Sequence, residues 1–146
     1  MIYPIYVFLD LVSITSPIGI FLGRISNFIN GELVGKLTNS NWGILFPTYD
    51  DKLRHPSQLY EAFLEGLVLF IILNFIISKE NYKIGTCSCA FLLFYGFFRI
   101  FAELFREPDQ HLGYYLNLFS MGMLLSFLMI LAGALLYYFL RKKNEI

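Results

Sequence analysis

YLNLFSMGMLLSFLMILAGALLYYFLRKK, residues 115–143, is the stretch whose reading decides the fold. From Tyr115 to Leu140 it carries no charged residue, and it closes on Arg141, Lys142 and Lys143. A helix rising about 1.5 Å per residue needs about 20 mostly apolar residues to cross the hydrocarbon of a bilayer. The segment exceeds that length, and its terminal cations suit a membrane–water boundary. It reads as a transmembrane helix over about residues 115–140.

Three further segments of the same kind lie upstream, at about residues 2–22, 59–77 and 85–105. The first is interrupted by Pro4, Asp10, Ser13, Thr15, Ser16 and Pro17. One side of it must therefore face protein or water, because lipid cannot satisfy freed backbone groups. It has neither the basic start nor the small-residue cleavage site of a signal peptide. A polar segment, residues 23–58, separates the first two helices and holds turn formers such as Asn30-Gly31 and Phe46-Pro47. Its apolar run Trp42–Phe46 is either a strand or a segment lying on the membrane surface.

Composition agrees. Hydrophobic residues make up 57% and charged residues 15% of the 146, against about 45–50% and about 25% in soluble domains. The expectation is a single all-α integral membrane domain, with no internal repeat. Eleven basic and eleven acidic residues cancel, which argues against a nucleic-acid partner. Cys87 and Cys89 form a C-x-C too close for a relaxed disulfide and lack partners for a metal site. No P-loop, Ser-His-Asp set or metal-ligand cluster is visible, so no metal and no cofactor are expected.

The cations after the last helix place the C-terminus on the cytoplasmic side. Lys79 and Lys83 then also fall inside, and Arg24, Lys36, Lys52, Arg54 and Arg106 outside. Arg24, Asn27, Asn30, Glu32, Arg54, His55, Gln58, Glu61, Glu103 and Arg106 all gather near the outer boundary. Arg99 lies about 10 Å deeper at 1.5 Å per residue. Polar chemistry collected at one membrane boundary suits a lipid headgroup.

Three blocks carry that chemistry. In Gly23–Glu32, Arg24, Asn27 and Phe28 share a face if the block is helical. Arg suits bidentate phosphate binding and Asn orients hydroxyls. The plainer alternative has Arg24 touching bulk lipid phosphates and the asparagines forming turns. In Arg54–Glu61, Pro56 restricts His55 to extended backbone, Ser57 is the expected helix N-cap and Tyr60 an interfacial aromatic. His55 is either a proton carrier, with an unperturbed pKa of about 6.5, or an ordinary hydrogen-bonding residue. Glu65, in line with Glu61, is expected to face a polar interior. In Tyr95–Arg106, Arg99 and Glu103 stand at i,i+4 and Glu103 and Arg106 at i,i+3. A charge within a membrane helix costs at least about 2.5 kcal/mol and is a functional hypothesis by default. The alternative is an ion pair knitting helices together. Pro108 is the expected helix stop, and His111 is read as a surface residue.

In this order, Gly23–Glu32, Arg54–Glu61, and Tyr95-Gly96 with Arg99, Glu103, Phe105-Arg106, Pro108-Asp109 and Ser120-Met121-Gly122 resemble the bacterial prolipoprotein diacylglyceryl transferases. The likeness covers nearly the whole chain. Ser26 stands where the signature usually has Gly; its small hydroxyl is either tolerated there or crowds a close backbone approach. The resemblance implies transfer of the diacylglyceryl group of phosphatidylglycerol to the lipobox cysteine thiol of a prolipoprotein, with glycerol phosphate leaving. By matched position, Arg99 and Glu103 are catalytic, with Arg99 stabilising the phosphate as charge builds on it. Arg24, Asn27 and Glu32 hold phosphatidylglycerol, and Asn30, His55, Gln58, Tyr60 and Arg106 support the site. The implied partners are phosphatidylglycerol, the precursor's signal peptide and membrane lipid, and the implied location is the bacterial inner membrane.

The family also implies a larger domain of about seven membrane-crossing helices, each about 20 residues long. The chain reads as its carboxy-terminal part, without the His-Gly-Gly block that carries a proposed catalytic histidine. A separate amino-terminal half is therefore an implied partner, and a free polypeptide beginning at Met1 is expected to leave Asp10 and the outer arginines without their partner helices. A non-catalytic remnant or half of a split enzyme is the alternative. A small anion transporter would show inverted repeats, and none is visible.

Overall fold

The computed structural model describes residues 3–107, 114–115 and 119–143. Pro108, Asp109 and His111 lie outside the described residues. Helix α1 spans Tyr3–Asn30. A hairpin of β1 (Ile44–Phe46) and β2 (Asp50–Arg54) follows. Helix α2 runs over Ser57–Ile77, α3 over Thr86–Glu103, and α4 over Met121–Lys143. Between α3 and α4, β3 (Tyr114–Tyr115) pairs antiparallel with β4 (Phe119–Ser120). The apolar run Trp42–Phe46 thus supplies a strand: Ile44 pairs with Arg54 and Leu45 with Leu53, and the register shifts between Leu45 and Phe46.

Four helices are long and apolar enough to cross a membrane. Their burial is inverted relative to a soluble bundle. Phe8, Leu11, Leu22, Phe75, Phe97, Leu128 and Phe139 are exposed, whereas Asp10, Ser13, Gln58, Glu61, Glu65, Ser88 and Glu103 are buried. Apolar surface this extensive is incompatible with water but natural in lipid, where the polar groups must find partners inside. The chain is an all-α, multi-pass integral membrane protein with two small hairpins in its loops.

Two helix boundaries differ from the sequence reading. Helix α1 continues past residue 22 to Asn30, since residues 23–30 hold no proline, and it stops before Gly31. Gly31 has φ +69°, the left-handed conformation of a helix C-terminus, and Glu32 N donates to Asn27 O at 2.9 Å. Helix α4 begins at Met121 rather than near Tyr115, since residues 114–115 and 119–120 form the β3–β4 pair. Ser120 Oγ accepts from Met123 N at 3.2 Å, capping α4. Helix α1 also runs through Pro17. Hydroxyls one turn back supplement the ladder there: Ser16 Oγ donates to Val12 O at 2.7 Å and Thr15 Oγ1 to Leu11 O at 3.0 Å.

Ser57 is not an N-cap. Helix α2 starts at Ser57 itself, after Pro56. The Ser57 hydroxyl instead donates to Leu33 O at 3.3 Å, tying the segment after α1 to the start of α2. Within α2, residues Ala62–Val68 are π-helical. Nothing in the side-chain pattern announces that change of pitch.

The apolar core is small: Leu69, Leu73, Cys87 and Ala90, with Ile14, Phe91, Tyr95 and Phe98 packed on it. Helices α3 and α4 pack closely through small residues, with Gly96 against Ser126 O and Gly133 against Cys89 O. At the opposite end, Asp10 of α1 joins the start of α3. Its carboxylate accepts from Gly85 N at 2.6 Å, Ser88 N at 2.7 Å and Ser88 Oγ at 2.6 Å, and from the Tyr82 hydroxyl. Burial, and then this bond to Asp10, push the Tyr82 phenol well above its ordinary range, so it stays a donor. Asp10 thus caps α3 from another helix. Within this segment Asp10 already has partners, because the Lys79–Gly85 turn carries donors back onto α1.

Candidate functional site

The other end of the bundle holds the charges. Arg24 comes from the last two turns of α1, Glu61 and Glu65 from α2, and Arg99 and Glu103 from α3. Arg24 Nε lies 2.7 Å from Glu61 Oε2, and Arg99 Nη1 lies 3.0 Å from the same oxygen. Glu65 stands at 3.5 Å from both arginines. Arg99 Nη2 is 3.4 Å from Glu103 Oε2, and Arg106 Nη1 is 4.0 Å from that oxygen. The outer arginines Arg24 and Arg106 thus have counter-charges within this segment, Arg24 from α2 and Arg106 from α3.

The three carboxylates are almost fully buried, with side-chain exposures of 1% for Glu61, 0% for Glu65 and 7% for Glu103. The arginines are a little more open, at 16% for Arg24 and 12% for Arg99. Buried carboxylates without counter-charges would be prohibitively costly, and paired ones are tolerated. The pairing is nevertheless loosely directed. Glu61 Oε2 is close to two guanidinium groups, yet neither contact has hydrogen-bond alignment, and Arg99 Nη1 has no hydrogen-bond acceptor among the described residues. Arg24 Nη2 to Glu65 Oε2 does qualify, at 3.5 Å. The cluster therefore holds its arginines in place by charge while leaving N–H capacity unspent.

A cavity of about 220 Å³ opens beside Arg24, lined by Ile20, Gly23, Arg24, Asn27 and Tyr95. Of the residues expected at the site, Arg24, Asn27, Arg99, Glu103 and Arg106 fall in the cluster or its cavity. Glu32 and Asn30 are exposed. Glu32 contributes its backbone carbonyl, which accepts from Gln58 Nε2 at 2.7 Å. His55 and Tyr60 form a pair to one side: His55 Nδ1 lies 3.2 Å from the Tyr60 hydroxyl, and both rings pack edge-on against Phe105. Ser26 is exposed.

Glu61 and Glu65 are the centre of the cluster, yet sequence reasoning gave them no role beyond a polar-facing position. Their signal was two acids four apart near the start of an apolar helix. Arg54, close to the site in sequence, serves the loop instead. It binds Asp50 (Nη2–Oδ2 2.7 Å) and Glu107 (Nη1–Oε2 3.1 Å), and donates to Gly35 O at 2.9 Å. Gly35 N in turn donates to His55 O at 3.1 Å, and Lys36 N to Phe105 O at 2.8 Å. The segment after α1 is thereby clamped between β2 and the end of α3, next to the cluster.

Fold and site together define a multi-pass membrane protein with convergent arginines, from different helices, held by carboxylates at one end of the bundle. A model of the prolipoprotein diacylglyceryl transferase family matches residues 2–139. The chain belongs to that family. Among curated relatives it is 53% identical over 126 residues to the phosphatidylglycerol–prolipoprotein diacylglyceryl transferase of Rickettsia bellii (strain OSU 85-389), covering 85% of this chain and 48% of the relative. To the Rickettsia felis protein of that name it is 54% identical over 129 residues, 87% of this chain and 50% of the relative. To that of Rickettsia typhi it is 50% identical over 136 residues, 92% and 52% respectively. The chain spans about half the length of the curated relatives it matches.

Proposed function

We propose that this chain carries the arginine-bearing part of a phosphatidylglycerol–prolipoprotein diacylglyceryl transferase. One observation supports the reading above the rest: Arg24 and Arg99 converge on one carboxylate oxygen, Glu61 Oε2, beside a cavity. In the transfer, a bond forms between the precursor's cysteine sulfur and the glyceryl carbon. The bond from that carbon to the phosphate oxygen breaks, and the thiol hydrogen ends on the departing glycerol phosphate. Arg24 holds the phosphate, and Asn27, lining the same cavity, orients the glycerol hydroxyls. Arg99, with unspent N–H capacity, stabilises charge gathering on the leaving phosphate. Glu103 fixes Arg99, and Glu32, Asn30, Gln58, His55, Tyr60 and Arg106 shape the rim. The substrates are phosphatidylglycerol and the signal peptide of a prolipoprotein, and the enzyme sits in the bacterial inner membrane with its C-terminus in the cytoplasm.

A second reading makes the chain one half of a split enzyme, partnered by a separate amino-terminal half, or a non-catalytic remnant. The half-length match to its relatives favours keeping it. Transfer of labelled diacylglycerol from phosphatidylglycerol to a lipobox peptide, by the purified chain in detergent, separates the two. Activity abolished by R24A and R99A supports the first reading. A folded chain that transfers nothing alone, but does so when the amino-terminal half of a relative is added, supports the split form. No transfer under either condition overturns the enzyme.

A further inference from the structure

The end of the bundle opposite the arginine–carboxylate cluster holds a second cavity, whose charged lining residues are all cations. A cavity of about 190 Å³ lies where the α2–α3 turn meets the end of α4, lined by Ile76, Lys79, Asn81, Tyr82, Lys83, Thr86 and Arg141. A water molecule's share of liquid volume is about 30 Å³, so the space admits a headgroup-sized anion. Its cations come from two places far apart in sequence, the turn and the last helix.

The rim is built. Tyr82 N donates to Lys79 O at 3.0 Å, and Thr86 N and Oγ1 both donate to Lys83 O, at 3.1 and 2.6 Å. These bonds fix Lys79 and Lys83 on one turn at the start of α3, where the helix dipole adds positive potential. Lys79 Nζ lies 4.9 Å from the centre of the Phe75 ring, and the Arg141 guanidinium 4.9 Å from that of Tyr137. Lys79 and Arg141 are thus each held over an aromatic ring four residues back in sequence.

Among the described residues, none of Lys79, Lys83 and Arg141 forms an ion pair with a carboxylate. The nearest buried acid, Asp10, is already engaged by Tyr82, Gly85 and Ser88. Glu80 is exposed in the same turn and is not part of the lining. The lining therefore combines three cations without a carboxylate partner among the described residues, amide and hydroxyl groups, and one apolar wall at Ile76.

We propose that this cavity is a second anion site, which takes the phosphate of an anionic lipid in the leaflet opposite the Arg24–Arg99 cluster. Cations between membrane helices attract phosphate headgroups, and the exposed face of α2 beside the cavity, with Ile71, Phe75 and Ile77, is where the acyl chains lie. The proposal requires the bundle to sit in a bilayer but does not depend on the transfer reaction.

The test is native mass spectrometry of the whole chain from detergent, titrated with dioleoyl-phosphatidylglycerol or dioleoyl-phosphatidylcholine, and separately with inorganic phosphate as competitor. The wild type is expected to retain one more phosphatidylglycerol than a K79Q/K83Q/R141Q variant, whose affinity at this site falls at least tenfold. A K79R/K83R/R141K variant, keeping the charge, should bind as the wild type does. Displacement of the extra lipid by millimolar phosphate, together with retention of phosphate itself, also supports the anion site and assigns it to soluble phosphate. Identical titrations of wild type and the neutral variant overturn the proposal. So does equal retention of phosphatidylcholine, or loss of binding in the charge-keeping variant.

Discussion

Arg24 and Glu61 meet at 2.7 Å (Nε–Oε2) across the α1–α2 interface, and the same Glu61 oxygen is shared with Arg99 of α3. One carboxylate therefore sets the separation of two guanidinium groups from two different helices. Removing a partner from a buried ion pair typically costs about 3–5 kcal/mol, because the remaining charge is left uncompensated. Glu65, at 3.5 Å from both arginines, offsets part of that loss.

The E61Q variant is accordingly expected to lose about 3 kcal/mol of stability, read as a lower unfolding midpoint in detergent. If the chain carries the proposed transfer activity, that activity should fall in E61Q together with R24A and R99A. An E61Q protein as stable as the wild type would show that Glu61 is not the counter-charge the geometry makes it.

Asp10 gives the second expectation. It accepts from two backbone N–H groups at the start of α3, from Ser88 Oγ and from Tyr82. Hydrogen bonds to charged groups contribute about 1.5–3 kcal/mol each, and an orphaned donor in a membrane interior has no water to turn to. D10N keeps one acceptor oxygen and should lose about 2 kcal/mol, with D10A losing more. Protease cleavage in the Lys79–Gly85 turn should quicken in both. Unchanged cleavage in D10A would mean the turn is held by other contacts.

What the sequence reveals and what it hides divide along one physical line. The i,i+4 pair Arg99–Glu103 is legible because both residues share one helix. The meeting of Arg24 with Glu61 is not, because it depends on the rotation of α1 against α2. That rotation is set where Gly66, inside the π-helical turn, packs on Phe21. Four apolar helices are plain from hydropathy, but the extension of α1 to Asn30 is masked by Arg24, Asn27 and Asn30. These polar residues mimic a loop in composition while keeping helical spacing. Asp10 looks partnerless in sequence because half of its donors are backbone groups, which composition does not display, and the others lie more than seventy residues away.

The hairpin outside the membrane should respond to acid. The Asp50 carboxyl is held below its ordinary value of 3.8, chiefly by the hydrogen bond from Arg54. Its folded pKa is lower than its unfolded one, so the contribution is fully present above the unfolded value. It is lost as the pH falls through the folded value. Loosening of β1–β2, followed by proteolysis or hydrogen exchange of residues 44–54, should therefore begin only below about pH 4. In D50N the same segment should be loosened at neutral pH and lose its acid response. A wild-type hairpin that loosens between pH 5 and 7 would point to a different titrating group.

The clamp beside the cluster depends on a residue without a side chain. A Cβ at Gly35 would stand 2.8 Å from Phe105 O, and closer still to His55 O, both of them backbone atoms that cannot swing away. Overpacking of this kind typically costs about 1–3 kcal/mol. Here it would also push the segment after α1 off β2 and off the end of α3, since Gly35 N, Gly35 O and Lys36 N all bond across that junction. G35A is expected to unfold at lower denaturant than the wild type and to lose transfer activity more steeply than stability, because Arg106 and Glu107 lie on the displaced strand edge. Full activity in G35A would show that the clamp can yield without moving the charges.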